Sequence, residues 1–110
     1  AVRNPTYITL SDGSVRNTYT LRLRNKHGEP RDFRVSLTSD EVMRISLEGQ
    51  PSTHVTVPAD SSFLQRVYVT ARPQDPAAKV DATDLRFWVE DVISGERAYR
   101  DNTFNGKAPQ

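Results

Sequence analysis

The chain has 110 residues, with 15 basic and 14 acidic side chains for a net charge of +1, 35% hydrophobic residues and no cysteine. That size and mixture suit one globular domain with its own core, and so even a charge balance gives no footprint for nucleic acid. Without cysteine the segment has no disulfide, thiol nucleophile, iron–sulfur ligand or zinc ribbon, and no apolar run nears the ~20 residues of a membrane span.

The segment opens Ala1-Val2-Arg3-Asn4-Pro5 without a methionine, as expected of a piece of a longer protein. Tyr7 to Leu10 reads as a first short strand, closed by Ser11-Asp12-Gly13-Ser14. An Asp-Gly pair suits a hairpin turn because glycine accepts positive φ. Thr18 to Asn25 then alternates cleanly, with Tyr19, Leu21 and Leu23 on one side and Thr18, Thr20, Arg22 and Arg24 on the other. This period of two marks a strand covering a core with one face. After a turn at Lys26 to Pro30, Arg31 to Thr38 repeats the pattern with Phe33, Val35 and Leu37 inward. Shorter strands follow at Val42 to Leu47, with Met43, Ile45 and Leu47 on its apolar side, and at Thr53 to Val57. Phe63 to Ala71 turns Val67 and Val69 inward and Arg66, Tyr68 and Thr70 outward.

Arg72 to Ala82 is the one long loop, where Pro76-Ala77-Ala78-Lys79 imitates a helix start. Leu85 to Val89 and Glu96 to Asp101 complete the strands around a Ser94-Gly95 turn, and Asn105 to Gln110 reads as a tail. Seven or eight short strands with turn signals about every ten residues point to an all-β sandwich, antiparallel and immunoglobulin-like. Residues 1–110 form a single domain on this reading. Trp88 falls on the outward parity, which means either a partly covered outer face or a register shifted by one.

Little in this pattern is chemical. His27, His54 and Met43 are the imidazole and thioether donors, and nothing in their spacing makes them converge as a metal site requires. Asp40-Glu41 and Glu90-Asp91 are neighbouring carboxylates, which in a strand project to opposite faces and cannot act together on one bond, so they read as solubilising and strand-edge charges. No Gly-x-Ser-x-Gly elbow and no phosphate-cradling glycine loop occurs. One feature stands above this background: 12 of the 15 basic residues are arginine. In an immunoglobulin-like arrangement the second strand pairs with the one at Phe63 to Ala71. Arg22, Arg24 and Arg66 then share an outer sheet face with Thr20, Tyr68 and Thr70. Arginine and tyrosine are enriched at binding surfaces, so Arg22, Arg24, Arg66 and Tyr68 form the candidate interaction face, for a protein partner or anionic lipid headgroups.

The string Arg3-Asn4-Pro5, Leu10 to Asn17, Tyr19-Thr20-Leu21 and Asn25-Lys26 resembles the opening of the C-terminal domain of the FixG/CcoG family of cytochrome oxidase accessory proteins. Val55 to Ala59, Val89-Glu90-Asp91, Ser94-Gly95-Glu96 and Thr103-Phe104 continue the likeness in the same order, while Phe104 to Lys107 departs from the usual aromatic–Gly–Pro finish. The resemblance implies an immunoglobulin-like domain on the periplasmic side of the bacterial inner membrane. It would end a membrane-bound, ferredoxin-type protein whose [4Fe–4S] clusters sit in the missing N-terminal part and which assists cbb-type oxidase assembly and copper delivery. No cluster motif matches any position here, so the redox residues do not carry over. The expected role is a non-catalytic domain that docks oxidase-assembly or copper-handling proteins or braces its parent, with no cofactor, catalytic residue or metal of its own. Two alternatives belong to other classes: a weak copper site built from Met43, His27 and His54, and a carbohydrate-binding sandwich using Trp88 and Tyr68.

Overall fold

The computed structural model describes residues 7–106. Eight strands follow one another as β1 (Tyr7–Thr9), β2 (Val15–Asn25), β3 (Arg31–Ser39), β4 (Arg44–Leu47), β5 (His54–Val57), β6 (Ser61–Ala71), β7 (Thr83–Asp91) and β8 (Arg97–Phe104). They form two antiparallel four-stranded sheets, ordered β1-β2-β6-β4 and β5-β3-β7-β8. This is the expected all-β, immunoglobulin-like sandwich.

The alternation read from the sequence sets the faces. Tyr19, Leu21 and Leu23 of β2, Val67 and Val69 of β6, Phe33 and Val35 of β3, and Leu85 and Phe87 of β7 are all buried between the sheets. Burying a side chain such as Leu23 or Phe87 stabilises the fold by roughly 1.5–3 kcal/mol. Met43 and Ile45 pack against the same core from its margin.

Three further polar residues are drawn inward. Asn17 donates from Nδ2 to the Asn105 carbonyl (2.9 Å) and accepts the Asn105 N–H (2.9 Å), which clamps the end of the chain to β2. Asn25 donates to the carbonyls of Glu29, Val57 and Pro58 and accepts the His27 N–H, gathering three segments at the far end of the sandwich. Gln65 donates to the Glu48 and Arg66 carbonyls (both 2.9 Å), filling the gap where β4 leaves β6. Buried amides need such partners, since an unpaired one costs about 1–3 kcal/mol.

Where the chain turns, local chemistry follows the turn type. Gly13 adopts φ +91°, and the Asp12 carboxylate accepts the Ser14 N–H at 2.9 Å. The Pro76 stretch forms a single 3-10 turn, Pro76–Ala78, whose Ala77 and Ala78 are buried against the sandwich end.

The last strand runs three residues past its expected end at Asp101 and brings Phe104 into full burial. The expected tail therefore begins later. Asn105 is held by Asn17, and Gly106 is packed so closely that a Cβ there would overlap the carbonyl oxygens of Ala77 and Val80. Residues 107–110 lie outside the described part, as does the opening Arg3-Asn4-Pro5.

Candidate interaction surface

β2 pairs with β6 along its whole length, placing Thr18 opposite Tyr68, Thr20 opposite Arg66, Arg22 opposite Leu64 and Arg24 opposite Ser62. Directly opposed residues in an antiparallel pair project to the same side. Arg22, Arg24, Arg66 and Tyr68 accordingly stand together on the outer face of the first sheet, as the strand parity requires.

The face has two halves of different character. Around Tyr68 the side chains satisfy one another: the Arg16 guanidinium lies 4.5 Å from the ring centroid, and the phenol donates to the Glu48 carboxylate at 3.0 Å. Arg66 also reaches Glu48, at 3.7 Å across solvent, a contact worth little by itself. Arg22 and Arg24 form the other half. Both are exposed, neither meets an acid among the described residues, and the Leu64 beside them is 61% exposed. Two unpaired guanidinia flanking an uncovered leucine make a surface suited to a protein contact.

The whole described structure fits a single homologous unit, and a family model for the IG-like fold at the C-terminal of FixG, a candidate oxidoreductase, matches residues 1–107. The chain belongs to this FixG C-terminal domain family. It is 56% identical over 106 residues to Protein RdxB of Cereibacter sphaeroides, covering 96% of this chain and 22% of RdxB. It is 46% identical over 91 residues to Protein RdxA of the same organism, covering 83% of this chain and 19% of RdxA. The chain thus spans about a fifth of each of these relatives. A crystal structure of a FixG-related protein from Vibrio parahaemolyticus superposes with a TM-score of 0.75 at 19% identity, over 96% of this chain and 92% of that one. At that identity the likeness concerns the fold.

In this FixG C-terminal domain the other sequence candidates are dispersed. Met43 precedes Arg44, which pairs with Thr70 and through it with Arg16 at the start of β2, whereas His27 follows the end of β2. About ten residues of extended strand, roughly 30 Å, therefore separate them. His54 sits on the outer side of β5 and meets only Ser52. The three donors proposed for copper do not come together.

Trp88 and Tyr68, the pair considered for sugar binding, lie on the outer faces of different sheets. Trp88 does occupy an outer face, its indole N–H donating to Thr38 Oγ1 at 3.0 Å, so the register was not shifted. Its neighbour is Tyr99, a residue not singled out in the sequence, with ring centroids 5.4 Å apart. Arg97 covers Trp88 at 4.7 Å and Arg86 covers Tyr99 at 4.0 Å. The rings are thus already stacked upon. The Trp88–Tyr99 pairing could have been found only by fixing the register of the last hairpin.

The hairpin bend also assembles His27, Asp91 and Glu96, whose ligand-type atoms lie within 4.8 Å of one another. Asp91, however, is fully engaged. Its Oδ1 accepts the N–H groups of Ile93 (2.9 Å) and Ser94 (3.2 Å), and its Oδ2 accepts Arg31 Nη1 (2.6 Å) beside His27 Nε2 (3.6 Å). A cation would have to displace Arg31, so the cluster reads as a structural brace for the bend.

Burial acts to raise the Asp91 pKa, but the Ser94 and Ile93 N–H groups and the Arg31 charge outweigh it and hold the carboxyl below its ordinary 3.8. A carboxyl with a lowered folded pKa gives stability that is complete above the unfolded value and is lost as pH falls through the folded one. The thermal midpoint is expected to drop steeply below about pH 4, and Asp91→Asn to flatten part of that drop. Parallel pH profiles for the two proteins would show that Asp91 braces nothing.

Proposed function

We propose that this domain is a non-catalytic docking and bracing module of a membrane-bound, ferredoxin-type iron–sulfur protein. In this reading it sits on the periplasmic side of the bacterial inner membrane and contacts proteins that assemble the cbb-type oxidase or handle its copper. Family membership supports the parent, and the exposed Arg22–Leu64–Arg24 surface, free of acids, is the observation that carries the docking role. With no cysteine, the chain has no thiolate for a [4Fe–4S] cluster. Cluster chemistry accordingly belongs to the parts of the parent outside it.

Among the described residues, the His27, Asp91 and Glu96 cluster is taken up by Arg31 and backbone N–H groups, so on this reading the domain acts by holding. Its contribution is to place a partner's surface near the parent's redox groups, and the Tyr68–Glu48–Arg16 half of the face keeps the strand pair rigid while Arg22 and Arg24 make contact.

The test is charge reversal in the full-length parent, changing Arg22, Arg24 and Arg66 to glutamate. Oxidase activity of the membranes and co-purification of the parent's partners should fall at least about tenfold, the loss expected for about 1.4 kcal/mol at a contact. Parent abundance should be unchanged. Full activity and full co-purification in the triple variant would end this reading.

A further inference from the structure

The charges of this chain are sorted by face. On the outer side of the first sheet the register sets Arg16 and Arg44 in one row across Thr70, and Arg66 beside Glu48 two rows further on. Arg22 and Arg24 follow along β2 after β4 has ended. Five arginines thus share the face with one acid, a net +4. The whole chain is only +1, so +4 here leaves −3 for everything else. The outer face of the other sheet is built differently. There Arg34 pairs with Glu90 and Arg86 with Asp101, the mixed pattern of a surface that is merely solvated.

Four of the five arginines meet no acid. Arg16, Arg22, Arg24 and Arg44 enter none of the ion pairs among the described residues, whereas Arg66 reaches Glu48. Residues 1–6 and 107–110 contain no aspartate or glutamate, so those stretches have no carboxylate side chain to offer. Asp75 feels the Arg44 charge, but it is buried and accepts the Arg72 N–H at 3.0 Å. The four fall into two groups. Arg16 and Arg44 stand at one end of the face, and Arg22 and Arg24 begin six residues along the strand, roughly 20 Å away. Between them lies a neutral waist, where Glu48 takes up both Arg66 and the Tyr68 phenol.

We propose that this face receives a partner protein carrying two clusters of carboxylates about 20 Å apart, one for each arginine group. One exposed ion pair is worth only about 0–1 kcal/mol. Selectivity therefore comes from engaging both groups at once on a rigid spacing. The uncovered Leu64 beside Arg22 gives the contact an apolar anchor. A lipid surface fits less well, because it is anionic throughout and would set its charge against Glu48 at the waist. A second copy of this chain, meeting it face to face, would oppose +4 with +4. The inference rests on the docking role and adds to it the charge pattern of the partner and a second contact point, Arg44.

The probe is a helical alanine–glutamine peptide with two pairs of glutamates about 14 residues, or roughly 21 Å, apart. Its isomer has the same composition, with the pairs about seven residues, or roughly 10 Å, apart. Both are titrated into the 110-residue chain at low salt, where surface charges are least screened. The long-spaced peptide should bind at least about tenfold tighter, because it alone reaches both arginine groups. Arg24→Glu and Arg44→Glu should each remove that advantage at an unchanged thermal midpoint, a readout that loss of folding would not give. Equal affinity for the two isomers would mean that charge alone attracts them and would overturn the inference. Binding to phosphatidylglycerol vesicles with neither peptide bound would overturn it in favour of a lipid surface. If the isomers bind equally while the full-length Arg22, Arg24 and Arg66 variant still loses its partners, the docking role stands and only its two-point mode falls.

Discussion

Asn25→Asp is expected to destabilise the domain by about 3–5 kcal/mol at neutral pH, the range for a buried charge left without compensation. The substitution hardly changes shape. It replaces an amide that donates to three carbonyl oxygens, of Glu29, Val57 and Pro58, with a carboxylate that confronts all three. Desolvation and the surrounding oxygens both disfavour the charged form, so the new carboxyl has a raised pKa in the folded state. A raised acid contributes its penalty as pH rises through the unfolded value, and the penalty fades as the group protonates. The variant should therefore recover stability on acidification over the range where the wild-type protein, with Asp91, Asp75 and Asp12 all lowered, begins to lose it. Urea melts at a series of pH values read this directly. Superimposable pH profiles would show that Asn25 is not the tie between the three segments.

Phe87→Ala carries the second large effect, a loss of about 3–5 kcal/mol. Phe87 is 1% exposed at the centre of β7, with Tyr19 of the opposite sheet edge-on to it at 5.0 Å between centroids. The loss combines the transfer of the ring, the cavity left behind and an edge-to-face contact worth about 0.5–1.5 kcal/mol. Tyr19 cannot easily swing into the space, because its phenol donates to the Thr103 carbonyl at 2.8 Å. Burial also pushes that phenol's pKa well above its ordinary value, which keeps it a donor. Small domains have about 5–15 kcal/mol of stability in total, so the variant should melt far below the wild type. A loss under about 1 kcal/mol would mean that the sheets close over the gap.

Strand parity carried most of the fold. The alternation of β2 alone sets Tyr19, Leu21 and Leu23 inward and Arg22 and Arg24 outward, and the pairing with β6 follows from a sandwich of this type. The same parity, continued one step each way along β2, reaches Asn17 and Asn25. Residue type argues for the surface at those positions, and only the carbonyls supplied by distant segments reverse that preference. Gln65 is hidden for the same reason. The candidate face was legible because it needs only two strands in register. Its division by Glu48 was not, since Glu48 arrives from beyond the end of β4.

The order of strands has a consequence for how the chain comes to be folded. From β2 to β7 every connection crosses from one sheet to the other, and only the β1–β2 and β7–β8 hairpins join neighbours in sequence. The first sheet waits for β6 before β2 gains its second mate, and the other sheet waits for β7 before β3 gains its own. Long loops must close before any of these ladders is rewarded, which places folding on the scale of milliseconds to seconds and makes it a single late event. During synthesis the first half of this segment would leave the ribosome with no stable partner to meet, and the domain would snap together only as its final strands emerge.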